Sequence, residues 1–446
     1  MRPIAAAEAE APVQRGVSLW RQRDFMFLWG GQAVSQSGSA ITTLALPLTA
    51  VVVLRASAFQ VGLLCAATYA AFIFVALPAG AIVDRVAKRR LMIWCDVARL
   101  LIIASIPVAA ALGVLSIGQL FAAALTAGVF SVFFDVANQS YVPALVGSAQ
   151  LTDANGKLGA SRSFAQVAGP GLGGGLVAAV GVIGAVTVDG LSYAVSVASL
   201  LAIRNPEARP ERAKVTMRRF GAEITAGLVF VGRHPILRRT TACTATGNLF
   251  IAMEMALDIV VLVRVLQVRP GLTGVLIAVG SLGGVAGGAL AGPLARRLGS
   301  ARIMWMAPLV IGAPSVLVPL AEPGWRVVLF PIGYGVSAFS CVLLSVAQLT
   351  YRQLVCPPEL RSSMNAATRW ISWGVMPAGG LLGGALGDLI GVRPSMWLAI
   401  VGTWAADGLR VPRPLGRDDR IRTRRRCRLH FVRALQVEMR RAPCPR

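Results

Sequence analysis

Two carboxylates, Glu254 and Asp258, lie four residues apart in a mostly apolar segment. Residues with this spacing share one face of a helix. If the segment spans a membrane, ionisable side chains there are costly and usually functional. Neighbouring carboxylates in a medium of low dielectric constant also repel each other, so one should hold a proton near neutral pH. The pair is our first candidate for proton coupling or for binding a cationic substrate. The alternative is that both lie at the outer mouth and are merely solvated.

Other polar side chains stand alone in apolar runs. Asp189 is a further candidate for proton coupling, although we favour a structural pairing with a group such as Asn138 or Gln166. The candidates to line a cavity are Gln32, Ser35, Gln36, Asn138, Gln139 and Gln166. Polar residues of this kind also form hydrogen bonds between membrane helices, and the sequence leaves both roles open.

Residues suited to enzymatic or metal chemistry are few. The chain has only two histidines, His234 and His430, and its seven cysteines form no CxxC pair. A membrane enzyme would need a cluster of His, Asp or Cys at one face, so we expect no enzymatic activity, no metal and no cofactor. ATP-driven pumping is disfavoured as well, because no G-x-x-x-x-G-K-[ST] loop occurs in the sequence.

The composition defines the class of protein. Residues of the set AVILMFWYC make up 55% of the 446 residues, 14% are charged, and the mean hydropathy is +0.66. Soluble domains carry about 25% charged residues. Several apolar blocks exceed the roughly 20 residues that a helix needs to cross a bilayer, and no barrel-type alternation is visible. We therefore predict an all-α polytopic membrane protein with twelve helices, the last one short. These helices are placed at 27–53, 60–82, 91–111, 118–137, 163–181, 184–203, 240–263, 271–292, 303–320, 327–349, 370–390 and 394–408.

The net charge of +24 is distributed unevenly over this topology. Nearly all of the 44 Lys and Arg residues fall in segments that are cytoplasmic if the N-terminus is inside. The exceptions are Arg55, Arg264, Arg269, Arg326 and Arg393 on outer segments and Arg99 within helix three. The positive-inside rule predicts this pattern, which indicates a bilayer and not nucleic acid as the partner. We expect a multi-pass protein of the cell membrane with both termini cytoplasmic, in which helix one is an uncleaved insertion signal.

The sequence contains an internal repeat. Residues 80–90 (GAIVDRVAKRR) have a counterpart 212 positions later at 292–302 (GPLARRLGSAR), and each follows an apolar run. A second set of matches, offset by 210, aligns Asn155 with Asn365. Parallel repeats are typical of transporters built from two six-helix halves. We predict an N-terminal bundle at 1–203, a loop with an amphipathic helix at 204–239, a C-terminal bundle at 240–409 and an Arg-rich tail at 410–446.

The first copy of the repeat resembles the G-x-x-x-D-R-x-x-x-[KR]-R loop between helices two and three of the major facilitator superfamily. The second copy has Arg296 where Asp84 stands in the first. By this resemblance, charged residues around the loop form a cytoplasmic cluster that holds the two bundles in one conformational state. We favour this gating role over direct substrate contact. The predicted cluster comprises Asp84, Arg85, Arg89, Arg90, Asp96, Arg99 and Asp135.

A second resemblance concerns helix five. Residues 165–174 (AQVAGPGLGG) are similar to the G-x-x-x-G-P-x-x-G-G motif of the superfamily's antiporters, with Ala165 in place of the first glycine. The matching residues are Gly169, Pro170, Gly173 and Gly174. In the family this motif is associated with export, and neighbouring residues resemble the subgroup of the enterobactin exporter and macrolide efflux proteins. Glycine ladders in helices five, eight and eleven predict close packing, either static or where the bundles move against each other.

The resemblance implies both a fold and a function. We expect two six-helix bundles related by a pseudo-two-fold axis, acting as a monomer. The expected function is secondary active transport, with proton-coupled efflux of small amphipathic molecules such as drugs, macrolides or siderophores by alternating access. An importer or uniporter of the same fold, and a membrane receptor or scaffold, remain alternatives. The Arg-rich tail could bind anionic lipid heads, but we favour a disordered or unnatural end.

Overall fold

The structure is a computed structural model that describes residues 19–83, 85–146, 150–204, 225, 228–355 and 361–408. Within these residues every regular element is a helix. The first half contains α1 (Arg23–Leu48), α2 (Ala58–Val83), α3 (Lys88–Ala111) and α4 (Ile117–Val146). The stretch Leu151–Ala202 contains α5 (151–180) and α6 (182–202), which are separated at Gly181 by a non-helical φ of 77°.

The second half begins with α7 (Pro235–Val260) and α8 (Pro270–Leu298). It continues with α9, an irregular span at 300–320, and with α10 (Leu329–Val355). The helix α11 has two pieces, Arg361–Gly374 and Met376–Leu389, and α12 covers Val392–Gly408. The predicted short last helix has 17 residues, about 26 Å of α-helix.

Eight of the described helical segments are long and apolar enough to cross a membrane. They are Arg23–Val53, Ala58–Val75, Lys88–Ala111, Ile117–Val146, Asp153–Ala202, Pro270–Leu298, Arg302–Leu320 and Trp325–Thr350. Large apolar side chains such as Phe74, Trp94 and Leu101 lie on the outside of the protein. Such an apolar exterior suits lipid, which explains why the mean hydropathy is far above that of a water-soluble protein.

Several helices extend past the ends predicted from hydropathy. The helix α5 begins at Leu151 instead of residue 163, and its added turns carry an ion pair in which Lys157 Nζ lies 2.8 Å from Asp153 Oδ1. Similarly, α11 begins at Arg361 instead of residue 370. Hydropathy detects only the part of a helix within the hydrocarbon, whereas a helix continues beyond it when polar pairs four residues apart support the next turns.

We call the end of the protein where α1 begins and α12 ends the terminal face, and the end where α1 leads into α2 the distal face. At the distal face, α1 and α7 finish in the same way. Each ends in a π-helical turn, Thr49–Val53 and Val261–Val265. Each turn is followed by a non-glycine residue with positive φ, Arg55 at 51° and Gln267 at 56°. These residues are 212 positions apart, so the backbone shows the same repeat as the sequence.

The two halves pack against each other mainly through two helix pairs, α2 with α11 and α5 with α8, and α7 also contacts α2. In both pairs the contact is glycine on glycine. A Cβ atom placed on Gly174 would lie 2.7 Å from the Cα of Gly274, and one on Gly62 would lie 2.9 Å from the Cα of Gly384. Only residues without side chains allow backbones to approach this closely. The proposed bundle boundaries at 203 and 240 are consistent with this packing and stay a prediction.

Two predicted segments fall mostly or wholly outside the described residues. For the amphipathic helix of the inter-bundle loop, residues 228–233 are described and are helical. The Arg-rich tail at 410–446 lies outside the described part of the chain, as does Asp84 in the loop between α2 and α3.

Candidate functional site

The acidic pair on α7 is buried. Glu254 is 6% exposed and Asp258 is 5% exposed, so the alternative in which both are solvated at an outer mouth does not fit the structure. Among the residues that the structure describes, neither carboxylate forms an ion pair with Lys, Arg or His. The Oδ1 atom of Asp258 also has no hydrogen-bond partner among those residues.

Packing with α2 and α11 positions this pair near the boundary between the halves. The glycines of α11 allow α7 to approach, because a Cβ on Gly383 would lie 2.8 Å from the Cγ of Met253. From the other half, the Tyr69 hydroxyl of α2 donates a hydrogen bond of 3.7 Å to the Met255 sulfur. The acidic residues therefore lie on a helix that contacts the opposite half directly, where a change in their charge can alter how the halves fit together.

Asp189 lies in a different place and has a different partner from the one we favoured. It is fully buried on α6 and accepts a hydrogen bond of 3.2 Å from the Ser192 hydroxyl. The predicted pairing with Asn138 or Gln166 is wrong. The reason is Gly38 on α1, where the missing Cβ leaves room for the Asp189 carboxylate against the α1 backbone. Whether Asp189 binds protons stays a prediction.

The residues of the predicted gating cluster occupy separate places. Asp96 and Arg99 form a buried ion pair within α3, and Asp96 also accepts a 2.6 Å hydrogen bond from Ser196 of α6. The Arg99 guanidinium stacks between two aromatic rings, 4.5 Å from the centroid of Phe134 and 4.7 Å from that of Tyr193. This pair is an internal contact of the N-terminal half, which is a correction to its placement in one cytoplasmic cluster.

The other members of that cluster lie nearer the terminal face. The Arg89 guanidinium donates to the carbonyl oxygens of Leu200 and Leu201 at 2.8 and 3.0 Å, where α6 ends. A cation there satisfies carbonyl groups that lack helical partners. Arg85 and Arg90 are exposed. Asp135 of α4 forms a half-exposed ion pair of 3.4 Å with Arg162 of α5.

An arginine of the opposite half lies near this last ion pair. Arg369 of α11 is close enough to Asp135 and Arg162 to interact electrostatically with both side chains. Its guanidinium stacks on two aromatic rings, 5.0 Å from Phe72 of α2 and 4.7 Å from Trp373. Arg369 was not among the residues predicted from the sequence, although an arginine followed four residues later by an aromatic residue, Trp373, is a signal that the sequence contains.

The cavity-lining candidates divide into two groups. Gln32 and Asn138 are buried and hydrogen-bond to each other through both amide groups, which joins α1 to α4. Ser35 is also buried. In contrast, Gln36 is half-buried, and Gln139 and Gln166 are exposed. The second group, on α1, α4 and α5, remains available to a passage between the halves.

The motif on α5 contacts two different helices. A Cβ on Gly173 would lie 3.2 Å from Leu44, and Gly169 faces Ala40, so both glycines pack on α1. Gly174 instead faces α8 across the boundary between the halves, beside the carbonyl of Pro170. Most of the α8 glycine ladder packs on α10 within its own half, as at Gly283. One part of the predicted ladder is thus an interface between halves, and another part is internal packing.

The distal face is closed by polar contacts between the halves that the sequence analysis did not identify. Both carboxylate oxygens of Asp388, at the end of α11, accept hydrogen bonds from the first backbone N–H groups of α2, 2.9 Å from Ala58 and 3.1 Å from Phe59. The Arg264 guanidinium donates to the Ala56 carbonyl oxygen. We call these interactions the distal contact. Arg264 had a signal in the sequence, since it is one of few basic residues on predicted outer segments.

Towards the terminal face, α5 carries exposed side chains beyond its contact with α8. The contact of α5 with α8 involves Gly171 to Ala178 on one helix and Gly271 to Ala278 on the other. Nearer the terminal face, Phe164 of α5 is 64% exposed and Gln166 is exposed.

These features define a multi-pass helical membrane protein with two facing halves and a buried acidic pair beside their boundary. The family model of the Major Facilitator Superfamily matches residues 28–381. This chain belongs to the Major Facilitator Superfamily, and it is a transporter, not an enzyme. The sequence is 24% identical over 369 residues to the multidrug efflux pump Tap of Mycolicibacterium fortuitum, covering 80% of this chain and 87% of the relative.

Solved transporter structures share the fold at low sequence identity. A point mutant of the nucleoside transporter NupG superimposes with a TM-score of 0.71 at 11% identity, covering 87% of this chain and 98% of that one. A bacterial homologue of the lysosomal transporter Spinster, inward-facing and unoccupied, gives 0.70 at 14% identity, covering 89% and 97%. A bacterial homologue of the iron transporter ferroportin, inward-facing, gives 0.68 at 16% identity, covering 87% and 98%. The predicted fold class is confirmed.

Proposed function

We propose that this transporter exports small amphipathic molecules in exchange for protons, by alternating access in the cell membrane. The similarity to a multidrug efflux pump over most of the chain supports export. The glycine and proline motif at residues 165–174, which resembles that of antiporters, supports the same direction. We place the terminal face in the cytoplasm because the exposed Arg85, Arg90 and Arg302 lie there, as the positive-inside rule requires. Because the distal contact joins the halves at the opposite face, we take the described conformation to be inward-facing.

The single observation that carries the proton-coupling proposal is the burial of Glu254 and Asp258 without a basic partner among the described residues. Side chains four apart on a helix have Cβ atoms about 5–6 Å apart. At an effective dielectric constant near 20, two negative charges at that separation repel by ~3 kcal/mol. Such a pair shares a proton at neutral pH, and it releases or replaces that proton when water or a cationic substrate reaches it.

In this proposal, the state of the acidic pair sets which face opens. Protonation removes charge from a helix that packs on α2 and α11, so the protonated and deprotonated forms favour different arrangements of the halves. Substrate enters the passage from the cytoplasm between Gln36, Gln139 and Gln166. After the passage opens to the distal face, the substrate leaves and the pair takes up a proton from outside.

Transport in everted membrane vesicles tests the proposal. Glu254→Gln and Asp258→Asn should each abolish substrate-dependent proton movement while leaving folding intact, as judged by size-exclusion chromatography in detergent. Glu322→Gln is the matched control, because Glu322 is an exposed carboxylate paired with Arg326 on the distal face. Proton movement that is unchanged in both α7 variants would refute the coupling role.

The same assay separates the alternative functions. Substrate-dependent proton release from acidified vesicles indicates antiport, whereas movement of proton and substrate in one direction indicates an importer. Substrate movement without proton movement indicates a uniporter, and no flux of any tested compound would favour a receptor or scaffold. Expression in a drug-sensitive host that lacks its own pumps provides the substrate panel, with resistance compared between the wild type and Glu254→Gln.

A further inference from the structure

A polar chamber lies inside the C-terminal half. It is enclosed by α7, α9, α10 and α12, away from the α2–α11 and α5–α8 boundaries. On α7 its lining runs from Thr244 to Glu254, ten residues or about 15 Å of helix. On α10 it runs from Ser337 to Gln348, a similar length. The chamber is therefore a narrow shaft along the helices with the Glu254 carboxylate in its wall.

The lining groups require a partner that both donates and accepts hydrogen bonds. Gln348 is 3% exposed, and its side-chain oxygen accepts hydrogen bonds of 3.1 Å from Thr244 and 3.0 Å from Arg352. Its Nε2 atom is a donor without a partner among the described residues. The Ser345 hydroxyl donates to a backbone carbonyl oxygen at 2.8 Å, which leaves its lone pairs free to accept. A metal cation would be repelled by the amide donor, whereas water satisfies both kinds of group.

The irregular backbone of α9 is compatible with a water-filled chamber. Beside the chamber this span changes from an α-helix to the π-helical turn Ala307–Ile311 and then to the 3-10 turn Ala313–Val316. Irregular backbone at membrane depth is tolerated only where it is buried in protein or lines a water-filled cavity. Pro308 and Gly312, from this irregular region, line the chamber.

The internal repeat shows what fills the equivalent space in the other half. With the offsets of 212 and 210, Pro308 corresponds to Asp96 and Thr403 corresponds to Tyr193. In the N-terminal half these positions surround the guanidinium of Arg99. The residue equivalent to Arg99 is Ile311, which does not line the chamber. A space that a charged side chain fills in one half is thus left as a polar shaft in the other.

We propose that this chamber holds a chain of water molecules that carries protons to and from Glu254, separately from the path of the substrate. Cys341 and Ser345 at one side are exposed, whereas Gln348 beside Thr244 and Glu254 farther along α7 are buried, so the shaft has an open side between two buried ends. A hydronium ion passes its proton along the water chain, and the last water donates a proton to the carboxylate, leaving a neutral acid. Release runs in reverse. The inference rests on the proposed coupling role of Glu254.

Cysteine labelling tests whether the chamber is wet. Two variants are compared, one with Ser337→Cys as its only cysteine and one with Val310→Cys as its only cysteine. Val310 lies on the outer surface of α9, is 58% exposed and does not line the chamber. A charged methanethiosulfonate reagent reacts with thiolates, which form in water and not in hydrocarbon. We expect the cysteine at 337 to react about tenfold faster or more. Equal rates would overturn the proposal.

Filling the chamber tests the proton route. Ser337→Leu should slow substrate-dependent proton movement about tenfold, which corresponds to an activation barrier raised by about 1.4 kcal/mol. Substrate binding should be retained. Ser337→Ala removes the hydroxyl but leaves the space, so it should remain near the wild type, as should Val310→Leu. If Glu254→Gln abolishes coupling while Ser337→Leu does not slow it, only the chamber route is refuted. If Glu254→Gln retains full coupling, the proposed function itself fails.

Discussion

Asp388 should stabilise the inward-facing conformation by holding the first turn of α2 to the end of α11. Its two oxygens accept the N–H groups of Ala58 and Phe59 at 2.9 and 3.1 Å, so it serves as a helix cap supplied by the opposite half. A capping side chain contributes about 0.5–2 kcal/mol, and a carboxylate at a helix N-terminus gains a further 0.3–1 kcal/mol, roughly. Because Asp388 is exposed to solvent, we take ~1 kcal/mol for the pair of bonds, which is about fivefold in a conformational equilibrium.

Asp388→Ala should therefore raise the ratio of outward-facing to inward-facing protein about fivefold. Spin labels at Val114 and Trp325, which are exposed on the distal face of opposite halves, report this ratio as a distance distribution by pulsed electron resonance. Glu322→Ala is the control, since that carboxylate pairs with Arg326 four residues away in the same half. A distance distribution that is the same in Asp388→Ala and in the wild type would refute the reasoning.

Three further predictions concern other parts of the molecule. Gly174→Val should push α5 away from α8 and abolish transport in the vesicle assay, because a Cβ at position 174 would lie 2.7 Å from the Cα of Gly274. Gly175→Val should retain transport, because a Cβ at position 175 would have no atom within 4 Å. Burial lowers the pKa of His234, whose neutral imidazole caps α7. The unfolded protein therefore binds more protons than the folded protein, and the melting temperature should fall as the pH drops below about 6.5. In His234→Asn this fall should be smaller. Asp135→Asn should shift the equilibrium towards the inward-facing state, opposite to the first prediction, because it removes the carboxylate that can join α4 to α11. Spin-label distances across the terminal face measure this shift, and unchanged distances would contradict the prediction.

The number and order of the helices could be predicted because the hydrophobic effect acts on whole segments. The apolar run of each span is fixed by the thickness of the bilayer, so a count of runs and breaks was sufficient. The breaks between helices follow the repeat as well: Gly181 and Gly391, 210 positions apart, both have positive φ, 77° and 93°, and the ends of α1 and α7 match. The predicted first residues of α5 and α11, at the terminal face, were wrong by about three turns of helix, because helix formation there depends on pairs of polar side chains along the helix and not on hydropathy.

The positions of single charges could not be predicted in the same way. Asp96 and Arg99 are three residues apart on a helix, which permits a pair but does not reveal which way that face points. The sequence also gives no sign that Gly38 opens a space for Asp189. Asp388 was missed because its partners are backbone N–H groups, which every helix has, and their proximity arises only when α11 reaches the beginning of α2.

The two halves share their backbone architecture but not their charges, and this difference bears on how protonation could move the protein. The positions on α1 that correspond to Glu254 and Asp258 are Thr42 and Leu46, so the acidic pair exists in one half only. Its effect must pass to the other half through helices in direct contact. The route is short, because α7 packs on Gly383 of α11, and the next glycine of α11 packs on α2. That same helix ends at the residue that caps α2. A change of charge on α7 thus lies one helix away from Asp388, and only six residues before Arg264, the other member of the distal contact, at the end of α7 itself. Both connections could carry the proposed effect of protonation to the distal contact.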